Sequence, residues 1–161
     1  MHRDFKELFA FLNAESVRYL VVGGYAVSLH AEPRATKDLD IWVESSPGNA
    51  AALFRALAAF GAPLEGLTPV SLAQPGSFFR LGVPPVMVDI LPNIAGLGFA
   101  DAWPHRVDAL VDAHTGLHAN FISAGDLIAA KLASGRAQDV ADAEALRAAG
   151  KAEGKAESDK S

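Results

Sequence analysis

Two aspartates one residue apart, Asp38 and Asp40, interrupt an apolar run over residues 37–44, "KDLDIWVE". Side chains alternate faces along a strand, so Asp38 and Asp40 share one face while Leu39, Ile41 and Val43 take the other. The two carboxylates then stand about 7 Å apart along the chain, and each raises the pKa of the other unless a cation sits between them. Magnesium fits that position: it is hard, prefers oxygen ligands, and is typically held by one or two carboxylates plus substrate phosphates. A third carboxylate, Asp89, lies in "VMVDIL", an expensive setting for an unpaired charge. If its strand neighbours that of the pair, three aspartates converge on one cation site. Asp89 then completes the metal shell or acts as base toward an incoming hydroxyl. Taken alone, a D-x-D pair is common at strand edges, and an Asp near a proline-containing loop is often only a turn former. The glycine pair Gly23-Gly24, ahead of the aspartates, adds weight because it falls between a strand and a helix.

Those residues need elements to hold them. Phe5, Leu8, Phe9 and Leu12 recur at helical spacing, predicting a helix over residues 3–14. "RYLVV", 18–22, reads as a buried strand ended by the glycine pair, and 25–31 as one or two helical turns stopped by Pro33. Residues 37–44 form the second strand. Pro47 starts a helix over 48–61 that Gly61 caps. Residues 62–76, with three prolines and two glycines, read as a loop. Residues 77–91 form two strands around Pro84-Pro85. If these make a hairpin with a two-residue loop, Val83 pairs with Val86 and Arg80 falls opposite Asp89; a one-residue slip sends Arg80 to the other face. Residues 92–104 read as irregular, 107–122 as a hairpin turning at Thr115-Gly116, and the pattern is helical from Ser123. The last eleven residues, 151–161, carry no apolar side chain larger than alanine and are expected to be a disordered tail behind a single domain, 1–150. Strands clustered centrally with helices at both ends predict an α/β fold of mixed α+β type: a small mixed sheet flanked by helices, with helices at the carboxy terminus.

Composition narrows the function. The 161 residues are 50% hydrophobic and 20% charged, a globular balance. A formal net charge of -5 gives no general pull toward nucleic acid or anionic membrane. Cysteine is absent, which removes disulfides, thiolate metal sites and cysteine nucleophiles. The charged, amphipathic amino terminus does not read as a signal peptide, and no apolar run reaches membrane-spanning length. The expectation is a soluble cytoplasmic protein without a membrane partner. The five histidines show no metal-ligand spacing and read as structural or exposed. Trp42 shares the aspartate face of its strand and reads as packing.

Together these motifs resemble the nucleotidyltransferase signature of the DNA polymerase β superfamily: an apolar strand, Gly-Gly, a spacer, then Asp-x-Asp between apolar residues. Here residues 25–37 form the spacer, and "VDIL" resembles the stretch bearing the third carboxylate. Gly-Gly-x-Ala-Val with Arg34-x-Thr36 is similar to lincosamide-type antibiotic nucleotidyltransferases and to nucleotidyltransferase-like toxins of bacterial abortive-infection systems. Residues 122–146 resemble the helical carboxy-terminal part of these relatives, in which a Lys and an Arg-x-x-Asp recur; Gln138 departs from the basic residue often found at its place. The resemblance implies magnesium-dependent nucleotidyl transfer from a nucleoside triphosphate such as ATP to an acceptor hydroxyl or phosphate, with one or two Mg2+ ions on Asp38, Asp40 and Asp89. The acceptor implied is a small molecule, or a tRNA 3′ end or protein side chain in a toxin; the other alternative is a catalytically silent binding or antitoxin-type member. Gly23 and Gly24 permit close backbone approach, and amides at the following helix start can face phosphate oxygens. Lys131, on an otherwise apolar helix, either snorkels to solvent or reaches the phosphates. Arg34 and Thr36 touch the nucleotide or an acceptor, or brace the loop. Arg136 reads as a local ion pair with Asp139, and Asp142 as an ordinary surface residue.

Overall fold

Heptad-like spacing at the amino terminus produces the expected helix. In the computed structural model, which describes residues 1–36 and 38–160, α1 (Arg3–Ala14) buries Phe5, Leu8, Phe9 and Leu12, and His2 caps it by accepting the Asp4 amide at 3.0 Å. The strand β1 (Tyr19–Val22) is buried at every position and runs straight into α2 (Gly23–His30). The glycine pair therefore opens this helix, which starts two residues earlier than the pattern suggests. Next come β2 (Asp38–Val43) and α3 (Pro47–Phe60), the latter capped by the Ser46 hydroxyl and closed by Gly61 in the left-handed conformation. Lys37, read as the start of the second strand, lies outside the described residues.

Two stretches read as irregular are partly helical. Residues 62–76 contain α4 (Pro69–Leu72), held by a reciprocal cap in which the Thr68 and Ser71 hydroxyls each accept the other's amide. Residues 92–104 contain α5 (Phe99–Ala102) and the start of a 3-10 turn (Trp103–His105). Neither is long enough to show helical periodicity, but both bury apolar groups: Leu72 in one, Phe99 and Ala102 in the other. The hairpin β3 (Phe79–Val83) and β4 (Val86–Leu91) turns at Pro84-Pro85 over a cis peptide bond, and β5 (Val107–Asp112) and β6 (Leu117–Phe121) form the second hairpin. Two helices close the chain, α6 (Ala124–Ser134) and α7 (Ala137–Ser158). Residues 151–158, expected to be disordered, are helical and continue α7. Alanine, glutamate and lysine there favour helix even without burial, and residues 151–160 are exposed throughout. Ser161 is outside the described residues.

The six strands form one mixed sheet in the order β3-β4-β2-β1-β6-β5, with β2–β4 and β1–β6 parallel and the other pairs antiparallel. This is the mixed α/β architecture that the element pattern predicts. Leu39, Ile41 and Val43 are buried on one side of β2. On that side α1 stacks Phe9 on Tyr19 at 5.9 Å, and Tyr19 is the register partner of Val43. Trp42, on the other side, packs edge-on against Phe99 at 5.0 Å, so its role is packing. Beyond Trp42 the same face is open enough for the aspartates. Among the described residues no helix is long and apolar enough to cross a membrane.

Candidate active site

Register brings the three aspartates together. In the parallel β2–β4 pair Asp40 lies directly beside Asp89, with Asp38 beside Met87. Asp38, Asp40 and Asp89 thus share the face opposite the core residues Leu39 and Ile41. Asp40 ends next to the strand-to-helix junction, since it pairs with Val22, the last residue of β1. Gly23 follows with φ 67, and a Cβ there would overlap the Asp40 carboxylate. Gly24 is equally confined, because its Cβ would stand 2.5 Å from the Thr36 hydroxyl. Gly23 is therefore required twice, by backbone conformation and by the side chain lying against it, and Gly24 by its closeness to Thr36. No side chain caps α2, and both of its leading glycines line the cleft.

The hairpin settles the place of Arg80. Val83 pairs with Val86, and Arg80 lies opposite Asp89. Its guanidinium grips both carboxylate oxygens, Nε to Oδ1 at 2.6 Å and Nη2 to Oδ2 at 3.0 Å. The turn is accommodated by Gly82, at φ 93, where a Cβ would collide with the Val86 carbonyl.

Across the cleft from the aspartates stands a cluster of cations held by two buried acids. Asp139 and Asp142 are each only 3% exposed. Lys131 reaches both, at 3.3 Å to Asp139 and 3.1 Å to Asp142. Arg136 pairs with Asp139 at 2.8 Å, as its spacing predicts. Arg34 pairs with Asp142 at 3.2 Å, and the Gln138 amide donates to Asp142 at 3.0 Å. Lys131 does not snorkel freely to solvent; it is pinned beside the site. Asp142 is not the surface residue its sequence context suggests, and the pattern held a signal for this. Asp139, Asp142, Ala143 and Leu146 stand at the i, i+3, i+4 and i+7 positions of one helix face and form the buried stripe of α7. The cleft is about 330 Å³ and is lined by Gly23, Gly24, Arg34, Thr36, Asp38, Asp40 and Lys131, together with Arg136, Gln138, Asp139 and Asp142. Asp89 and Arg80 flank it on the sheet. The histidines sit elsewhere: His30 meets the Ile122 carbonyl, His105 meets Asp126 and His118 meets Asp108.

Charge is unevenly balanced across this site. Burial, then the neighbouring charges of Asp89 and Asp38, push the Asp40 carboxyl up to about 6, although Lys131 and Arg80 pull the other way. Burial acts on Asp139 in the same direction, but the hydrogen bond from Arg136 and the charge of Lys131 outweigh it and hold Asp139 below the usual carboxylate range. The carboxylate side is thus short of positive charge while the opposite wall is neutralised. That shortage, with a donor set made of oxygen only, suits a hard divalent cation. Among the described residues no three carboxylate or imidazole groups form a ready metal cage. The shared face is as expected, but Asp89 is turned toward Arg80 rather than toward a common point with Asp38 and Asp40.

No curated protein matches this sequence. Among solved structures, that of a candidate nucleotidyltransferase from Thermotoga maritima shares the fold, with a TM-score of 0.58 at 21% identity over 90% of this chain and 89% of that one. Residues 3–151 match the family described as "Nucleotidyltransferase of unknown function (DUF6036)", a span that takes in the glycine pair, all three aspartates and the cation cluster. The chain belongs to that nucleotidyltransferase family.

Proposed function

We propose that the chain transfers a nucleoside monophosphate from a nucleoside triphosphate to an acceptor hydroxyl or phosphate, with Mg2+ held by Asp38 and Asp40. The observation that carries this reading is the facing of two walls. Three carboxylates share one sheet face, and Lys131, Arg34 and Arg136 line the cleft beside them. When bound, the metal neutralises charge on the triphosphate and on the carboxylates. The chain's own part is positioning. The α2 amides and Lys131 bind phosphate oxygens, and Gly23 and Gly24 let the nucleotide approach the backbone. Asp89 orients the acceptor and takes its proton. The acceptor oxygen forms a bond to the α-phosphorus, the bond from that phosphorus to the bridging oxygen breaks, and pyrophosphate leaves with the electron pair. The proton passes from Asp89 to solvent.

The test is to incubate the purified protein with each nucleoside triphosphate, labelled in turn on the α- and γ-phosphate, with Mg2+ or with a chelator. The expected result is α-label joined to an acceptor and γ-label released as pyrophosphate, both lost with the chelator and in Asp38→Asn. Tight triphosphate binding with no turnover on any acceptor would instead point to the silent, binding-type member of the family. Failure to bind any triphosphate would overturn the proposal outright.

A further inference from the structure

The cleft does not end at Lys131. A second compartment of about 260 Å³ adjoins it and shares Gly23, Asp40, Lys131, Arg136 and Asp139 with it. A molecule whose phosphates lie against the glycine pair can therefore run on into this compartment without leaving the protein. The lining there is of another kind. Val22, Leu91, Ile94, Leu127 and Ala130 make it largely apolar, which suits a flat ring better than a further phosphate. The cations at the junction, Lys131 and Arg136, are already matched by Asp139 and Asp142. Apart from charged residues, two polar side chains line the compartment, Asn93 and Ser134.

A serine hydroxyl donates or accepts and so favours neither kind of partner. Asn93 is committed. Its Oδ1 accepts the Gly76 backbone amide at 3.0 Å, and an N–H only donates, so the oxygen faces Gly76 and the NH2 faces away from it. Gly76 is not part of the compartment wall, and among the described residues nothing accepts from Asn93 Nδ2. The end of the amide left for a ligand is therefore the donor end. Asn93 also stands four residues beyond Asp89 and past the end of β4. The part of a donor nucleotide that reaches it from the metal aspartates is the far edge of the base, not the ribose or the phosphates.

We infer that this compartment seats the base of the donor triphosphate, and that Asn93 selects a base whose far edge carries a carbonyl oxygen over one that carries an amine: uracil over cytosine, and guanine over adenine. A carbonyl there accepts from Nδ2. An amine sets donor against donor and leaves both groups without a partner. The inference rests on the transfer reading, since it takes the donor's phosphates to lie along the glycine pair, and it adds which triphosphates the site prefers.

Binding tests this apart from turnover. The four nucleoside triphosphates, each with a methylene group in place of the oxygen between the α- and β-phosphates, are titrated by calorimetry in Mg2+. Comparison within one ring size removes the difference in apolar area between purine and pyrimidine. The uridine analogue should bind roughly three- to tenfold tighter than the cytidine one, and the guanosine analogue likewise over the adenosine one, the span expected of one neutral hydrogen bond. Asn93→Asp keeps an oxygen for the Gly76 amide but puts an acceptor where the donor stood. It should reverse both preferences, although its charge weakens all four analogues, and Asn93→Ala should remove them. A residue that only braces the loop would leave both ratios where they are in either variant. Equal binding within either pair in the parent, or ratios that Asn93→Asp does not move, overturns the inference. The expected preferences without label transfer to any acceptor sink the transfer reading alone. Transfer that uses all four triphosphates equally sinks the inference alone, and a protein that binds none of the analogues removes both.

Discussion

Asp40 is held where its own ionisation is unfavourable, which makes it a measurable probe of the site. Its pKa, raised to about 6 by burial first and by Asp89 and Asp38 next, exceeds the unfolded value near 3.9. The stability contributed by its neutral form is complete below that unfolded value and is lost as pH rises through about 6. Asp40→Asn is permanently neutral and nearly isosteric. It should melt several degrees above the parent at pH 8 in chelator, the loss it avoids being at most about 3 kcal/mol, and level with the parent at pH 4. Added Mg2+ should raise the parent's Tm and leave the variant's unchanged. A gain independent of pH, or a drop at pH 8, would show that Asp40 matters for its hydrogen bonding rather than its charge. Asp142 should behave in the opposite way. Its charge is matched by Lys131 and Arg34 in a nearly closed setting, so Asp142→Asn should cost roughly 3 kcal/mol and raise KM for the triphosphate more than it lowers kcat, measured by denaturant melts and steady-state kinetics. The shared face of Asp38 and Asp40 could be read from strand alternation, whereas the place of Asp89 depended on which strand lay beside β2. Asp142 was harder to place, since Arg34, its partner, is 108 residues away and no local pattern encodes that distance.

At the scale of elements, the strand-to-helix junction after Val22 decides whether the carboxylates keep their places. Three left-handed or crowded glycines separate the contributions. Gly61, at φ 97, has open space around its missing Cβ, whereas a Cβ on Gly23 would meet Asp40 and one on Gly24 would meet Thr36. Gly61→Ala should therefore lose only the conformational cost, about 1 kcal/mol, with activity retained. Gly23→Ala adds displacement of Asp40 to that cost and should lose most activity at a temperature where the fold persists, as activity assays beside circular dichroism would show. Equal activity in the two variants would mean Asp40 has room to move, against the geometry. Elements of this length announced themselves: β2 by alternation, the β3–β4 hairpin by its proline pair, α3 by Pro47 and Gly61. The register of the hairpin did not follow from propensity, because Pro-Pro supplies no positive φ; Gly82, just before the turn, adopts it instead. The single turns α4 and α5 escaped periodicity because four residues complete barely one turn, and what identifies them is the burial of Leu72 and Phe99 against other elements.

At the scale of the whole molecule, a net charge of -5 coexists with a cation-lined cleft, so any attraction of phosphate is local. The carboxy-terminal extension bears on this, because a charged helix near a site can alter its field. Residues 151–160 contain Lys151, Lys155 and Lys160 against Glu153, Glu157 and Asp159, three charges of each sign, and so add no net field. They also add no core: the last buried residue of α7 is Leu146, and every residue from 151 to 160 is exposed. A helical end supported only by propensity is marginal and frays. Truncation after Gly150 should therefore shift Tm by no more than about 1 °C, well under the 2–4 °C that 1 kcal/mol produces in a domain of this size. Triphosphate affinity should stay the same at low and high salt. The far-UV helical signal should fall by the share of the removed turns, which confirms that the extension was helical before it was cut. A drop of several degrees, or a salt-dependent change in affinity, would mean that the extension folds back on the domain and contributes to the site.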